Sequence, residues 1–238
     1  MNIQHKKQYS IGLKRGLPIA IGYLPVSFTF GLTAVSGGLP VWLAIMISLT
    51  NVTSAGQFAG TNLIIAGAGF VEITLTTFII NIRYMLMSLS ISQKIENKTT
   101  LLQRLIFAFG ITDETFTVAS MEEGRLTYRY MVGLITGPIL GWTLGTALGA
   151  FICSSLPQNL SDAMGIALYG MFIAIIIPPA RKSKKVVVVI AVSVAITCIL
   201  RYVPGLSMIS SGFRVIIATV LSAGICAKLY PMEEGGAT

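Results

Sequence analysis

Residues 48–62 read SLTNVTSAGQFAGTN, an uncharged segment inside a long apolar region. Asn51, Thr53, Ser54, Gln57, Thr61 and Asn62 crowd it, and Gly56 and Gly60 interrupt it. A helix facing lipid does not carry hydroxyls and amides at this density, because every polar group left unsatisfied in hydrocarbon is costly. The segment must therefore face other helices or a wet cavity. Small and hydroxyl-bearing residues let membrane helices pack closely, so one reading is helix–helix glue. Amide, hydroxyl and glycine breaks that coincide also mark a broken or re-entrant element lining a transport site. The second reading is favoured here.

The surrounding chain supports a membrane setting. Its 238 residues are 54% hydrophobic and 11% charged, with a mean hydropathy of +0.79, whereas soluble domains carry about 25% charged residues. Several apolar runs reach the roughly 20 residues that span a bilayer, and they lack the period-2 alternation of a membrane barrel. The fold class expected is all-α: a polytopic helical membrane protein with about six to eight membrane segments, some discontinuous or re-entrant. It forms a single transmembrane domain over 1–238, with a basic tail at 1–15 and a loose tail at 229–238.

The formal charge of +8 does not point to nucleic acid, since the basic residues gather at the ends of apolar runs and so report topology. Cys153, Cys198 and Cys226 lie isolated in apolar runs and match neither a metal motif nor a disulfide framework. His5, the one histidine, sits in the basic tail. Without a P-loop, a Ser–His arrangement or a His/Cys set, most catalytic chemistries lack their parts. A non-enzyme with no cofactor and no metal is expected. Lys6, Lys7, Lys14 and Arg15 before an apolar run mimic a signal peptide. That run is long for one, contains Pro18 and Pro25, and precedes a chain that is itself membrane-embedded, so it reads as the first spanning helix.

Hydropathy predicts helices over Leu17 to Val35, Val41 to Ala66 (interrupted), Val71 to Ser92, Leu105 to Ser120 (interrupted by Asp113 and Glu114), Tyr130 to Leu156, Asp162 to Pro178, Val186 to Val203 and Ser207 to Leu229. Gly133, Gly137, Gly141, Gly145 and Gly149 recur every four residues and lay a smooth stripe on one face. GYLPVSFTFG and GWTLGTALGA both precede a Leu-Pro turn, a faint sign of duplication. The positive-inside rule places both termini in the cytoplasm. If Val41 to Ala66 crosses once, the basic loop with Lys94, Lys98 and Arg104 falls outside, and Leu105 to Ser120 must cross. If it re-enters, that loop falls inside, and Leu105 to Ser120 re-enters as well. The charges favour two re-entrant elements, one from each face.

Asn81 and Arg83 lie mid-helix, where an Arg costs about 2.5–3.5 kcal/mol or more on insertion scales. Arg83 needs a partner, and Asp113 and Glu114 are the natural ones; because neighbours on a helix point apart, Asp113 is preferred. The pair is either a structural ion pair or a group that gates or binds a substrate carboxylate. Asp113 and Glu114 are either a solvated turn or the carboxylates of a proton-coupled carrier. Asn51, Thr53, Ser54, Gln57, Phe58, Asn81 and Arg83 are the candidate substrate-binding residues; Asp113, Glu114 and Arg83 are the candidates for coupling or gating, and Phe116 for contact with an apolar substrate tail. Tyr23, Trp42, Tyr84, Trp142 and Tyr169 read as packing or interfacial anchors.

The segments TSAGQFAG, NIRYMLMS and GITDETFTV, in this order and spacing, resemble the AzlC/YgaZ family of branched-chain amino-acid permeases. Trp142 in a Gly-rich helix and the run GMFIAIIIP fit as well. Met87 departs from the family, which often has Tyr after Leu there, and this weakens any role for a tyrosine at that spot. The resemblance implies an exporter of leucine, isoleucine, valine and sometimes methionine in the bacterial inner membrane, working with a small AzlD/YgaH-type membrane subunit. Gln57, Asn81, Arg83, Asp113 and Glu114 occupy the family's distinctive positions. Alternatives are a carrier for another amino acid or analogue, or a channel-like pore.

Overall fold

The computed structural model describes residues 3–153 and 183–230, with isolated positions between them. Among these residues the chain is helical: α1 (Ile3–Ser36), α2 (Val41–Thr50), α3 (Ser54–Ile65), α4 (Phe70–Lys94), α5 (Leu101–Ala108), α6 (Asp113–Met121), α7 (Tyr128–Ile152), α8 (Lys184–Tyr202) and α9 (Ser211–Leu229). Five of them, α1, α4, α7, α8 and α9, are long and apolar enough to cross a membrane. The helix expected over Asp162 to Pro178, the Leu156-Pro157 turn, Tyr169 and the tail after Tyr230 fall wholly or almost wholly outside the described residues.

The spine of the molecule is the contact between α1 and α7. A Cβ on Gly12 would collide with the Tyr130 carbonyl, one on Gly16 with that of Leu134, and one on Gly31 with that of Thr146. From the other side, Gly133 faces the Tyr9 carbonyl and Gly149 that of Phe28. Both helices advance together through these pairs, so they run parallel, backbone against backbone. This is the small-residue packing that replaces the hydrophobic effect between membrane helices. Pro138 adds to it: its missing N–H frees the Leu134 carbonyl, which faces the Gly16 backbone. The spine also corrects one expectation. Residues 3–15 were read as a tail, but α1 begins at Ile3, because packing against α7 carries the helix past the charged residues.

The ends of the helices fix the topology. The last residues of α4 meet the approach to α7: Leu126 N donates to the Lys94 carbonyl at 2.8 Å and Glu96 N to the Leu126 carbonyl at 3.1 Å. Lys94 Nζ reaches the carbonyls of Ser120 and Glu122 at 2.7 and 2.6 Å, and Arg15 pairs with Glu122 at 3.3 Å. The start of α1 and α7 and the end of α4 and α6 thus share one end of the molecule, which is basic. At the opposite end Ser36 Oγ and Cys153 Sγ lie 3.2 Å apart. Gly37 there packs on Ile65. Glu72 accepts from Ser210 Oγ at 2.5 Å and from Gly212 N at 2.8 Å, so α4 and α9 start at this far end.

It follows that α2–α3 enters and leaves at the far end, and α5–α6 enters and leaves at the basic end. Of the two topologies open to the sequence, the structure has the one with two re-entrant hairpins from opposite faces. At 1.5 Å per residue, the 10-residue α2 reaches about halfway through a hydrocarbon core of ~30 Å. Two apolar clusters flank the level where the hairpins end: Ile91, Phe107, Met131 and Leu134 toward the basic end, and Phe30, Ala44, Phe58 and Ala150 toward the far end.

Two measurements test this architecture. Gly31→Ala is expected to lower folding stability by about 1–3 kcal/mol through overpacking, whereas Gly224→Ala, where an added Cβ meets nothing within 4 Å, is expected to be nearly neutral; unfolding in detergent reads both. In a cysteine-free background, cysteines at Gly38 and Gly67 are expected to react with an impermeant thiol reagent from one face of the membrane, and cysteines at Asn97 and Gly124 from the other. Reaction of Gly38→Cys and Gly67→Cys from opposite faces would contradict re-entry.

Candidate functional site

Each hairpin breaks where it ends at mid-depth. Between α2 and α3, Asn51 (φ −149°, ψ 93°) and Thr53 (φ −138°, ψ 109°) are extended. Between α5 and α6, Thr112 (φ −123°, ψ 175°) is extended and closes a capping box with Thr115. The two breaks are satisfied differently. Thr115 Oγ1 donates to the Gly110 carbonyl at 2.9 Å and accepts from Thr112 N at 2.8 Å, so the second break pairs with itself. The first leans on α4, with Thr53 Oγ1 donating to Asn81 Oδ1 at 2.7 Å. The α3 N-terminus has no side-chain cap, and the Ser54 hydroxyl is buried without a hydrogen-bond partner.

A cavity of about 760 Å³ opens between the breaks, within the range of small-molecule sites. Val52, Ser54 and Ala55 line it from the first hairpin; Thr112, Asp113 and Glu114 from the second; Arg83 and Tyr84 from α4; Tyr23 and Val26 from α1; and Trp142 from α7. Arg83 pairs with Asp113 at 2.9 Å, with both side chains a little under half exposed, and stacks on the Tyr84 ring, whose centroid is 5.2 Å away. Glu114 points away from this pair and accepts from the Tyr23 hydroxyl, which also lies 2.7 Å from Thr112 Oγ1. The expected pairing of Arg83 with Asp113 rather than Glu114 is the one observed.

A buried relay holds the aromatic wall. The Tyr23 and Trp142 rings meet edge to face, with centroids 5.3 Å apart. Trp142 Nε1 donates to Gln57 Oε1 at 3.0 Å. Gln57 Nε2 donates to Ser48 Oγ at 2.5 Å, and Ser48 lies 2.7 Å from Thr146 Oγ1. The relay ties both halves of the first hairpin to α7, and through the Tyr23 ring and hydroxyl to the second hairpin.

Of the expected site residues, Ser54, Arg83, Asp113 and Glu114 line the cavity. Thr53 and Asn81 bond to each other beside it, and Asn81 fits because Gly56 leaves room for its amide. Asn51 lies in the break, partly buried, and Gln57, 1% exposed, sits behind Trp142. Phe58 is core, packed edge-on against Phe30 at 5.2 Å, and Phe116 packs on the basic-end cluster. Tyr23, Tyr84 and Trp142, read as anchors, line the cavity instead, as do Val52, Ala55 and Thr112. The sequence did carry a signal for Tyr23: a phenol in mid-helix between Pro18 and Pro25, where lipid offers its hydroxyl no partner.

Gln57→Leu keeps the volume but strands the Trp142 N–H and the Ser48 hydroxyl. It is expected to cost about 1–3 kcal/mol and to shift the emission of Trp142, read in a Trp42→Phe background.

The same residues fall inside the match to known proteins. The family model described as AzlC protein matches residues 18–156, a span that holds every residue lining the cavity. The inner membrane protein YgaZ of Escherichia coli is 29% identical over 187 residues, covering 76% of each chain. An uncharacterized membrane protein of Archaeoglobus fulgidus is 32% identical over 172 residues, 70% of this chain and 74% of that one. Another, from Helicobacter pylori, is 23% identical over 184 residues, 75% and 78% of the two chains. No solved structure matches. With more than half its length matched by the family model and its helices arranged as multi-pass spans, this chain belongs to the AzlC family and is a membrane transporter of the AzlC type.

Proposed function

We propose that the protein is a secondary active transporter exporting branched-chain amino acids (leucine, isoleucine and valine), and sometimes methionine, across a bacterial inner membrane. It works with a small AzlD/YgaH-type subunit, is not an enzyme, and needs no cofactor. The observation that carries the reading is the make-up of the cavity. One wall presents fixed charges of both signs, Arg83, Asp113 and Glu114; Ile19, Val26, Val52 and Ala55 supply an apolar surface. A zwitterion with an aliphatic side chain needs both. Its carboxylate meets Arg83 or the uncapped N-terminus of α3, where the helix dipole favours an anion. Its ammonium meets the carboxylates, and a proton returns through Asp113 or Glu114.

The membrane assignment draws on the likeness to YgaZ, an inner membrane protein of Escherichia coli. Orientation follows the charges: Lys7, Arg15, Lys94, Lys98, Arg125 and Lys228 belong to the basic end, so that end and both termini face the cytoplasm.

Cells lacking their own exporters, preloaded with leucine, test the proposal. Saturable efflux is expected when this chain and a small AzlD-type subunit are expressed together, and not from either alone. No efflux, with both proteins verified in the membrane, would overturn it. Arg83→Ala is expected to lower efflux per molecule at least tenfold, the order of a lost charge-assisted contact of about 1.5–3 kcal/mol.

A further inference from the structure

The two adjacent carboxylates of the cavity are not equivalent. Asp113 is neutralised by Arg83 at 2.9 Å. Glu114 is exposed to the cavity, and among the described residues it contacts no cation. Its side-chain partner is the uncharged hydroxyl of Tyr23. The titratable and charged groups around it are Tyr23 from α1, Arg83 and Tyr84 from α4, and Asp113 beside it, all lining the same cavity. The first hairpin contributes Val52, Ser54 and Ala55, and α7 contributes Trp142, none of them charged. Against one guanidinium stand two carboxylates, so the cavity carries one uncompensated negative charge at mid-depth. An uncompensated charge at this depth is costly and draws in a cation.

We propose that Glu114, not Asp113, is the cation subsite: it receives the primary ammonium of the ligand, and a proton competes with that ammonium for the same carboxylate. The proposal rests on the reading of the cavity as a substrate site and divides the work within it. Asp113 holds Arg83 in place. Tyr23, fixed from behind by Trp142 and Gln57, positions the Glu114 carboxylate through one hydrogen bond and leaves its other lone pairs for the ligand. An ammonium leaving Glu114 to the outside is replaced by a proton from that same side, which is released inside when the next ammonium binds, so one proton enters for each amine exported. The charge of the empty site is then restored in each half of the cycle.

Calorimetric titration of the purified protein with isopentylamine tests this. The probe carries the amine and the aliphatic chain of leucine without its carboxylate, and it stays protonated below about pH 9. Wild-type protein is expected to bind it, and more weakly in acid. Glu114→Gln is expected to lose about 10–100-fold in affinity and all pH dependence. Glu114→Asp is expected to keep the pH dependence, which separates loss of charge from misfolding, and the double variant Arg83→Gln/Asp113→Asn, which leaves the net charge of the cavity unchanged, to keep it as well. The proposal is overturned if wild-type protein does not bind the amine, if Glu114→Gln binds it like wild type, or if Arg83→Gln/Asp113→Asn is the variant that flattens the pH response. Leucine titrated into the same samples keeps the two readings apart. Glu114-dependent binding of isopentylamine without binding of leucine leaves the cation subsite standing and removes the branched-chain amino acids.

Discussion

Backbone contact between α1 and α7 is the constraint from which the rest of the structure follows. Lipid is as apolar as any side chain, so burying side chains against one another gains little there, and close approach must supply the attraction. Gly12, Gly16 and Gly31 on one helix, and Gly133 and Gly149 on the other, bring the two main chains together along their length. A rigid pair of this kind lets the remaining elements depart from regular helix. Backbone broken at membrane depth is tolerated only where protein or a wet cavity covers it, and α1 and α7 form part of that cover. The first hairpin hangs on α7 through Ser48, Gln57 and Trp142. The second meets α1 through Thr112, Glu114 and Tyr23.

The Arg83–Asp113 pair belongs to the site more than to the scaffold. With its side chains nearly half exposed, it adds little stability as an ion pair. Its effect is electrostatic: it keeps a guanidinium in an otherwise costly place and cancels one of two carboxylates. The two hairpins therefore offer different ends to the cavity. The N-terminus of α6 is capped by Thr112 and carries two acidic residues in its first turn. The N-terminus of α3 is uncapped, with a buried serine hydroxyl beside it. A cavity with a negative wall and a bare helix start can orient a zwitterion by charge alone.

Much of this was legible in the sequence, because the membrane penalises polarity so heavily that polar residues announce themselves. The density of amides and hydroxyls over residues 48–62 marked a break, and the chain breaks at Asn51–Thr53. The distribution of lysine and arginine favoured re-entry from both faces, and the helix ends meet accordingly. Arg83 in mid-helix required a carboxylate, and the opposed directions of Asp113 and Glu114 left one for it. What polarity does not reveal is what stands opposite a given side chain. Gln57 and Phe58 stood out as a polar and an aromatic residue in the right place, yet one braces Trp142 and the other packs on Phe30. Tyr23 and Trp142 looked like anchors because aromatic rings suit interfaces and cores equally. The start of α1 was missed because tertiary packing, not hydropathy, carries that helix through its basic residues.

The most direct measurement is a structure determined with leucine bound, at a resolution that places a single amino acid. The ligand is expected between Ala55 and Glu114, with its ammonium toward Glu114, its side chain against Val26 and Val52, and both hairpin breaks in contact with it. Leucine found elsewhere, or touching only one of the two breaks, would contradict this placement.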